Sequence, residues 1–438
     1  MLGDTACDTP FLSALRDSTV YFRRAYATEC WTLPSHMSMF TGLLPSEHQA
    51  HFQTMAYTGS TPTLAERLRD HGYHSEIVTR NFIFDGTIPG VTRGFIQNTQ
   101  ILSPINHPTL YGLFLAAMKP RFRRHLRTTG FFHALHGEQR EFLSRFARAM
   151  LPADRQALSY VVRRLGEHRR ASRPYFGFAN LYDVHAPYPP SETSIVRPIT
   201  SLSSFIESLT MHRPLAKIGS HAYLRRGFRM SDHGRRLLLG RYRTAVELMD
   251  RKLGAFFDQL RSEGLLQNTM VVLTSDHGEA FGDHGLYLHD ASAYDTHLHV
   301  PLWIHHPDRS PEIVDDVVSM KDLCALICEI TLGNGTKDTL LDAAYRERNR
   351  IVAAEHFFYP RVENADPRYR QNLAAVICGD RKLIVGRDAA VEFNLRRDVG
   401  EESPGGTSVA DFLARCAADG VKPKTLETTR ERLQRWSA

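Results

Sequence analysis

Thr269-Met-Val-Val-Leu-Thr-Ser-Asp-His-Gly-Glu279 decides how the rest of the chain is read. Met270 to Leu273 is a short, continuously apolar run with two adjacent valines. Such a run predicts a buried strand of a parallel sheet. It stops at Ser275, and Asp276-His277-Gly278 follows at its C-terminal end. In open α/β sheets this is where ligands bind. Asp supplies a hard oxygen and His a borderline nitrogen, so the pair suits a divalent transition metal or zinc. Gly278 lets the backbone turn away sharply. On its own such a tripeptide is more often a strand-end turn; three further segments change the odds.

Upstream, Tyr242, Val246, Met249, Leu253, Phe256 and Leu260 recur every three or four residues. They predict an amphipathic helix lying on the sheet and ended by Gly264. Pro174 to Leu181 predicts a second apolar strand, and Tyr182-Asp-Val-His-Ala-Pro-Tyr-Pro-Pro190 a rigid loop with His185 just past that strand's end. Thr63-Leu-Ala-Glu66 is a capping box; its helix stops at Gly72 and a strand follows near Ser75 to Thr79. Nearer the start, Thr9 to Leu15 predicts a short helix and Thr19 to Phe22 a short strand. Pro34 then reads as the first residue of a helix stopped by Gly42. Its N-terminus points back at Thr32, where free N–H groups favour an anion. A hydroxyl there, beside a metal, is a candidate nucleophile. Capping the helix is the commoner job for a threonine.

Downstream come His284, His289, His297 and His299, then a strand Val300 to Ile304 and a helix Met320 to Leu332. Four histidines so close together exceed what a passive loop needs, and only some can reach one metal. From about Arg350 the pattern changes to short strands, Ile351–Ala354, Ala374–Cys378, Lys382–Val385 and Val391–Leu395, with a charged helix near Thr425 to Trp436. Residues 106–173 read as a solvated helical insertion carrying Arg121, Arg123, Arg124, Arg127, Arg163, Arg164, Arg169 and Arg170. Ser191 to Arg235 is polar and irregular, a lid or insertion. Helices alternating with strands predict an α/β fold. We expect a catalytic domain over 1–345 and a small α+β domain with an antiparallel sheet over 346–438.

The chain of 438 residues is 42% hydrophobic and 23% charged, as a globular protein with a full core should be. A net charge of +6 suits an anionic substrate and is too small to argue for nucleic acid. Six cysteines form no Cys-x-x-Cys pair, and Cys324 and Cys328 read as buried thiols of one helix. No stretch is apolar and long enough to span a bilayer, and the first residues are not a signal peptide. The expected location is cytoplasmic.

Trp31-Thr-Leu-Pro-Ser-His36 with Thr41-Gly42, Asp183-Val-His-Ala-Pro-Tyr188 and Thr274-Ser-Asp-His-Gly-Glu279, in this order after Thr9-Pro-Phe-Leu12, resemble the sulfatase family of the alkaline phosphatase superfamily. The resemblance runs from about Thr9 to Pro404. It implies an α/β sandwich around a mostly parallel sheet flanked by helices, followed by a small C-terminal sheet domain. It implies hydrolysis of a small anionic sulfate or phosphate ester through a covalent intermediate, with a divalent metal (Ca, Mg, Mn or Zn). Thr32 falls where these enzymes place the cysteine or serine that becomes formylglycine, and His36 where they have arginine. His185 matches a substrate-contacting or acid histidine, and Asp276 and His277 match metal ligands, with Thr32 beside them. His289 or His299 stands for the family's downstream basic residue.

Two departures shape the expectation. Threonine cannot become formylglycine, so an unmodified Thr32 resembles the phosphodiesterases and phosphonoacetate hydrolases of the superfamily, and phosphorus chemistry is favoured over sulfate. Family members also open with an apolar strand ending in one or two aspartates, and Met1-Leu-Gly3 already aligns after it. We expect an in-frame upstream segment of roughly 15–25 residues holding a strand of ordinary length. Without it, a slot between the 75–79, 175–181 and 270–273 strands should lie partly open, leaving the chain poorly soluble, weakly metal-bound and nearly inactive. The alternative is a catalytically silent relative that binds an anionic ligand or partner.

Overall fold

The computed structural model describes residues 7–79, 81–100, 153–186, 188, 224, 227–289, 291–333, 339–358, 366–387, 389–434 and 436. Its first strand, β1 (Val20–Tyr26), is buried at both ends and carries a register shift after Phe22 that sets Ala25 on the same side as Phe22. Phe22 and Ala25 are wholly buried with Leu33, Met37 and Phe40 of the helix Thr32–Thr41 and Leu323 and Leu326 of the helix Asp322–Leu332. Tyr21 points the other way, against Leu15 of the helix Pro10–Arg16 and Phe257 of the helix Asp232–Ser262. Helices therefore cover both faces of the sheet, the expected sandwich.

Three parallel strands, β2 (His74–Thr79), β3 (Gln97–Gln100) and β4 (Tyr175–Asn180), form one sheet in the order β3-β2-β4. A second sheet contains β5 (Val271–Thr274), β8 (His299–His305), β1 and β9 (Glu312–Ser319) in the order β5-β8-β1-β9. Between β5 and β8 lies a small hairpin, β6 (Ala280–Phe281) with β7 (Tyr287–Leu288). β9 runs parallel to β1, and β8 runs antiparallel to both β1 and β5. Three of these five main ladders are parallel. The C-terminal sheet is antiparallel, in the order β10 (Ile351–His356), β11 (Leu373–Cys378), β12 (Arg381–Val385), β13 (Ala390–Asn394) and β14 (Gly405–Gly406).

Several expectations are corrected. The 270–273 run is a strand, but its ladder is antiparallel, with Val271 opposite His305 and Thr274 opposite Leu302. An apolar run reports burial, not direction; here the chain folds back through the hairpin into β8. Pro34 does not open its helix: Thr32 does, with Trp31 as N-cap. Ser191–Arg235 is not irregular to its end, because Ser231 accepts a hydrogen bond from Gly234 N and caps a helix beginning at Asp232. Cys324 is buried but Cys328 is only partly so. The strand β9 and the helix Val409–Ala418 were not anticipated. The arginines at 121–127 fall outside the described residues. Arg164 is not a free solvated cation: it grips the buried Glu76 at 2.7 Å. No helix among the described residues is long and apolar enough to cross a membrane.

The Thr63–Glu66 capping box is present in both halves: Thr63 N donates to Glu66 at 2.9 Å and Glu66 N to Thr63 Oγ1 at 3.2 Å. Strands β4 and β5 each have a ladder on one side only among the described residues. A cavity of about 1860 Å3 is lined by Phe176 and Phe178 of β4, Val272 and Leu273 of β5, and Met249 and Phe256 of the long helix. It reaches His36, Asp276 and His277 at the strands' C-terminal ends.

Candidate active site

β1, β4 and β5 deliver their C-terminal ends to one place. After β1 the chain turns into the helix Thr32–Thr41, which sets Thr32 at the helix start and His36 one turn on. Trp31 offers no side-chain cap, so the Thr32 hydroxyl is not occupied in capping. Thr32 Oγ1 lies 3.4 Å from His277 Nε2. Ser35 donates its hydroxyl to the Asp276 carbonyl at 2.5 Å, tying that helix to the end of β5. Gly278 is required by close approach: a Cβ there would stand 2.2 Å from Thr296 O, while its N–H donates to His297 O at 2.7 Å.

The protonation pattern follows from the hydrogen bonds. A carbonyl oxygen can only accept, so each ring nitrogen that faces one carries the proton. His277 Nδ1 donates to Gly278 O at 2.9 Å. Its Nε2 lone pair is left toward Asp276 Oδ2, 3.4 Å away, and Thr32 Oγ1. That is the tautomer a metal-bound imidazole takes, with its second nitrogen held by a carbonyl. An ion with ligand bonds of about 2.0–2.2 Å spaces its ligands roughly 3–3.5 Å apart. The two spacings from His277 Nε2, 3.4 Å to Thr32 Oγ1 and 3.4 Å to Asp276 Oδ2, fall in that range. Burial pushes His277 toward its neutral form against the pull of Asp276. Burial works to raise the Asp276 carboxyl, and the rings of His277, His36 and His289 outweigh it, leaving it below the usual range.

His36 is 2% exposed. Its Nδ1 donates to Thr32 O at 2.7 Å, and its Nε2 stands 3.4 Å from Asn180 Nδ2 at the end of β4. Phe84 and Phe178 meet the ring edge-on at 4.9 and 5.5 Å. Burial in this aromatic setting lowers its proton affinity despite Asp276 at 3.6 Å. The ring is therefore a neutral brace for the Thr32 backbone.

His185 and His289 complete the cluster. Asp154 accepts from Tyr182 N and Asp183 N at 2.8 and 2.6 Å, fixing the loop after β4. His185 stacks on Tyr182 at 4.3 Å and donates Nδ1–H to Ala186 O at 2.6 Å. Burial, with His289 beside it, pushes its pKa down to about 4. His289 stacks on His277 at 4.3 Å and meets His185 edge-on at 5.0 Å. Its Nδ1 donates to Glu279 Oε1 at 2.8 Å, while Tyr188 donates to Glu279 Oε2 at 2.8 Å. Burial opposes charge on His289, yet Glu279 raises its proton affinity above the ordinary histidine value.

The structure brings Thr32, His36, His185, Asp276, His277 and His289 together. It does not bring His299, which is exposed on β8 with Nε2 on Arg23 O at 2.7 Å. His297 is buried and serves the backbone, donating Nε2–H to Leu288 O. Asn180 and Glu279 were missed as site residues. Glu279 stood in the quoted motif, and Asn180 closes an apolar strand, the position at which His185's neighbourhood was sought.

The family model described as Sulfatase matches residues 1–333. Choline-sulfatase of Rhizobium meliloti (strain 1021) is 24% identical over 317 residues, 69% of this chain and 58% of that protein. Iduronate 2-sulfatase of Mus musculus is 22% identical over 331 residues, 70% of this chain and 57% of that protein. The chain thus spans less than two thirds of the length of these relatives. Among solved structures, the phosphonate monoester hydrolase of Agrobacterium radiobacter superposes with a TM-score of 0.64 at 19% identity, covering 98% of this chain and 92% of that one. The likeness is one of fold.

Proposed function

The chain belongs to the sulfatase family, and on that premise we propose that it hydrolyses a small anionic phosphorus ester, a phosphodiester or phosphonate monoester, with Thr32 as nucleophile. The observation that carries this reading is the Thr32 hydroxyl, uncommitted to capping, 3.4 Å from His277 Nε2. Threonine is no precursor of formylglycine, so the hydrated-aldehyde route of the sulfatases does not fit it.

Asp276, His277 and Thr32 would hold a divalent ion, which lowers the pKa of the hydroxyl and offsets charge on a substrate oxygen. His36 braces the Thr32 carbonyl and so fixes the nucleophile's direction. The Thr32 hydroxyl gives up its proton to solvent and its oxygen attacks phosphorus; the new O–P bond forms as the ester O–P bond breaks. The departing oxygen takes a proton from His289, which Glu279 keeps protonated. His185, neutral and with Nδ1 committed to Ala186, has only Nε2 to offer and acts as an acceptor. A water gives it a proton and attacks phosphorus, the Thr32 O–P bond breaks, the Thr32 oxygen takes that proton from His185, and His289 regains its own from solvent.

A second reading, a catalytically silent binder of an anionic ligand, is favoured by one feature: Asp276 is the single carboxylate in the donor set. One formal charge holds a divalent ion weakly. We keep the division at 345/346 and a cytoplasmic location as parts of the proposal. The test assays the protein with added divalent metals on aryl phosphodiester, aryl phosphonate and aryl sulfate. Turnover of the phosphorus esters, lost in Thr32→Ala, is expected. Faster turnover of the sulfate ester would sink the phosphorus preference. Anion binding with no turnover, unchanged by chelators, would favour the silent reading.

A further inference from the structure

A second group of donors lies away from the pair at the end of β5, where the turn before Thr32 meets the C-terminal sheet. Glu29 and Cys30 end the β1-to-helix connection, and His356 ends β10. All three are buried, at 1%, 0% and 2% exposure. Glu29 Oε1 stands 3.1 Å from Cys30 Sγ and 2.8 Å from His356 Nδ1, and Cys30 Sγ stands 3.5 Å from His356 Nδ1. The three donor atoms sit within 4.8 Å of one another. A tetrahedral zinc with bonds of about 2.0–2.3 Å needs its ligands roughly 3.3–3.6 Å apart, so a few tenths of an ångström of opening would admit it.

A second observation points to a cation. Among the described residues, Glu29 Oε2 and His356 Nε2 are buried with no hydrogen-bond partner. Among the described residues no lysine or arginine pairs with Glu29; its ion-pair partner is the His356 ring itself. A buried carboxylate needs a compensating charge. A carboxylate plus a thiolate carry two negative charges, which one divalent ion neutralises. The nitrogen and sulfur donors select zinc over calcium or magnesium. Burial lowers the proton affinity of His51, with Glu29 pulling the other way, and among the described residues its Nε2 is likewise buried without a partner.

We propose that Glu29, Cys30 and His356 form a second, structural zinc site that pins the C-terminal sheet to the turn carrying Thr32. The inference does not rest on the proposed hydrolysis, and removing the site would act on the position of Thr32 through Trp31. On binding, the Cys30 thiol loses its proton to solvent and its sulfur bonds to zinc.

The test titrates metal-free protein with Co(II) and Zn(II). About two equivalents should bind the wild type, with a thiolate-to-cobalt charge-transfer band. Cys30→Ser and His356→Gln should each lose about one equivalent, and Cys30→Ser the band. Asp276→Asn should lose the other equivalent and keep the band. A wild type without the band, a band surviving Cys30→Ser, or a band lost in Asp276→Asn each overturns the proposal. Should the Cys30 and His356 variants fail to fold, zinc X-ray absorption of the Asp276→Asn protein decides. A sulfur neighbour at about 2.3 Å supports the site, and a shell of nitrogen and oxygen alone refutes it.

Discussion

His289 donates its Nδ1–H to Glu279 Oε1 across 2.8 Å in a setting where both side chains are buried. Burial resists both charges. Even so, Glu279 is held at about 2, with His289, His185 and His277 drawing it down, and His289 is lifted above the ordinary 6.5. Glu279 thus favours the protonated His289 ring, which loses its proton as pH rises through that raised pKa. Turnover of esters with poor leaving groups should fall on that alkaline limb, while esters with good leaving groups hold. His289→Gln should remove the limb and cost roughly 10²–10⁴-fold on poor leaving groups. Profiles of kcat/KM against pH for both ester types check this; an equal loss on both would point to binding instead of proton donation.

Thr32→Ala should abolish turnover and leave the fold intact. An N-cap threonine replaced by alanine costs about 1 kcal/mol, but Trp31 holds the cap position here. Thermal melting should shift little. A variant that is folded and fully active would remove Thr32 from the chemistry.

Asp276→Ala should abolish binding of the divalent ion proposed for Asp276, His277 and Thr32, with activity falling by orders of magnitude. Elemental analysis of wild type and variant, with activity before and after chelation, gives the comparison. Activity that withstands complete chelation would end the metal hypothesis.

Lys382, wholly buried on β12, contacts Asp295 at 2.6 Å and Glu401 at 2.8 Å. Lys382→Met would leave two carboxylates facing each other without their cation. Breaking a buried pair in this way costs about 3–5 kcal/mol. Denaturant unfolding should show that loss, and a change below about 1 kcal/mol would mean the carboxylates simply take up protons.

Acid should unfold the protein early. His48 accepts from Ala50 N at its Nδ1 and has Nε2 on Pro34 O, and His297 lies between Ser292 and Leu288 O. Burial presses each down to about 3. Their folded pKa values lie below the unfolded 6.5, so stability is full above that pH and drains as pH falls, because the unfolded chain takes up protons the folded one refuses. Each histidine contributes a slope of about 1.4 kcal/mol per pH unit. Denaturation midpoints measured from pH 7 to pH 4 should fall steadily, and a His48→Gln protein should show a shallower decline. A flat profile would mean these rings stay protonated when folded.

Legibility in the sequence followed the physics of each segment. Asp276 and His277 could be read because an apolar run stopping at Asp-His-Gly marks a strand end whatever its neighbours do. The direction of that strand could not, since pairing with β8 is set by a return through β6 and β7 that leaves no local trace. Strand β9, Glu-Ile-Val-Asp-Asp-Val-Val-Ser, was missed because its acids stand at exposed positions in no alternating order. His289 and His299 look alike in sequence; only the fold separates a ring stacked on His277 from one on an exposed strand. Pairings such as Glu29 with His356, 327 positions apart, leave nothing at all to read.

The position of β1 between β8 and β9 carries a consequence for the order of events at the ribosome. Val20 finds its partners Ile304 and Glu312 only after most of the chain has been made. At about 5–20 residues per second, the strand waits roughly 15–60 s with both edges bare. The C-terminal sheet is assembled largely from neighbours in sequence and has no such delay. Synthesis speed over the codons between Val20 and Glu312, and whatever shields β1 meanwhile, should therefore govern how much of the newborn chain reaches its native state.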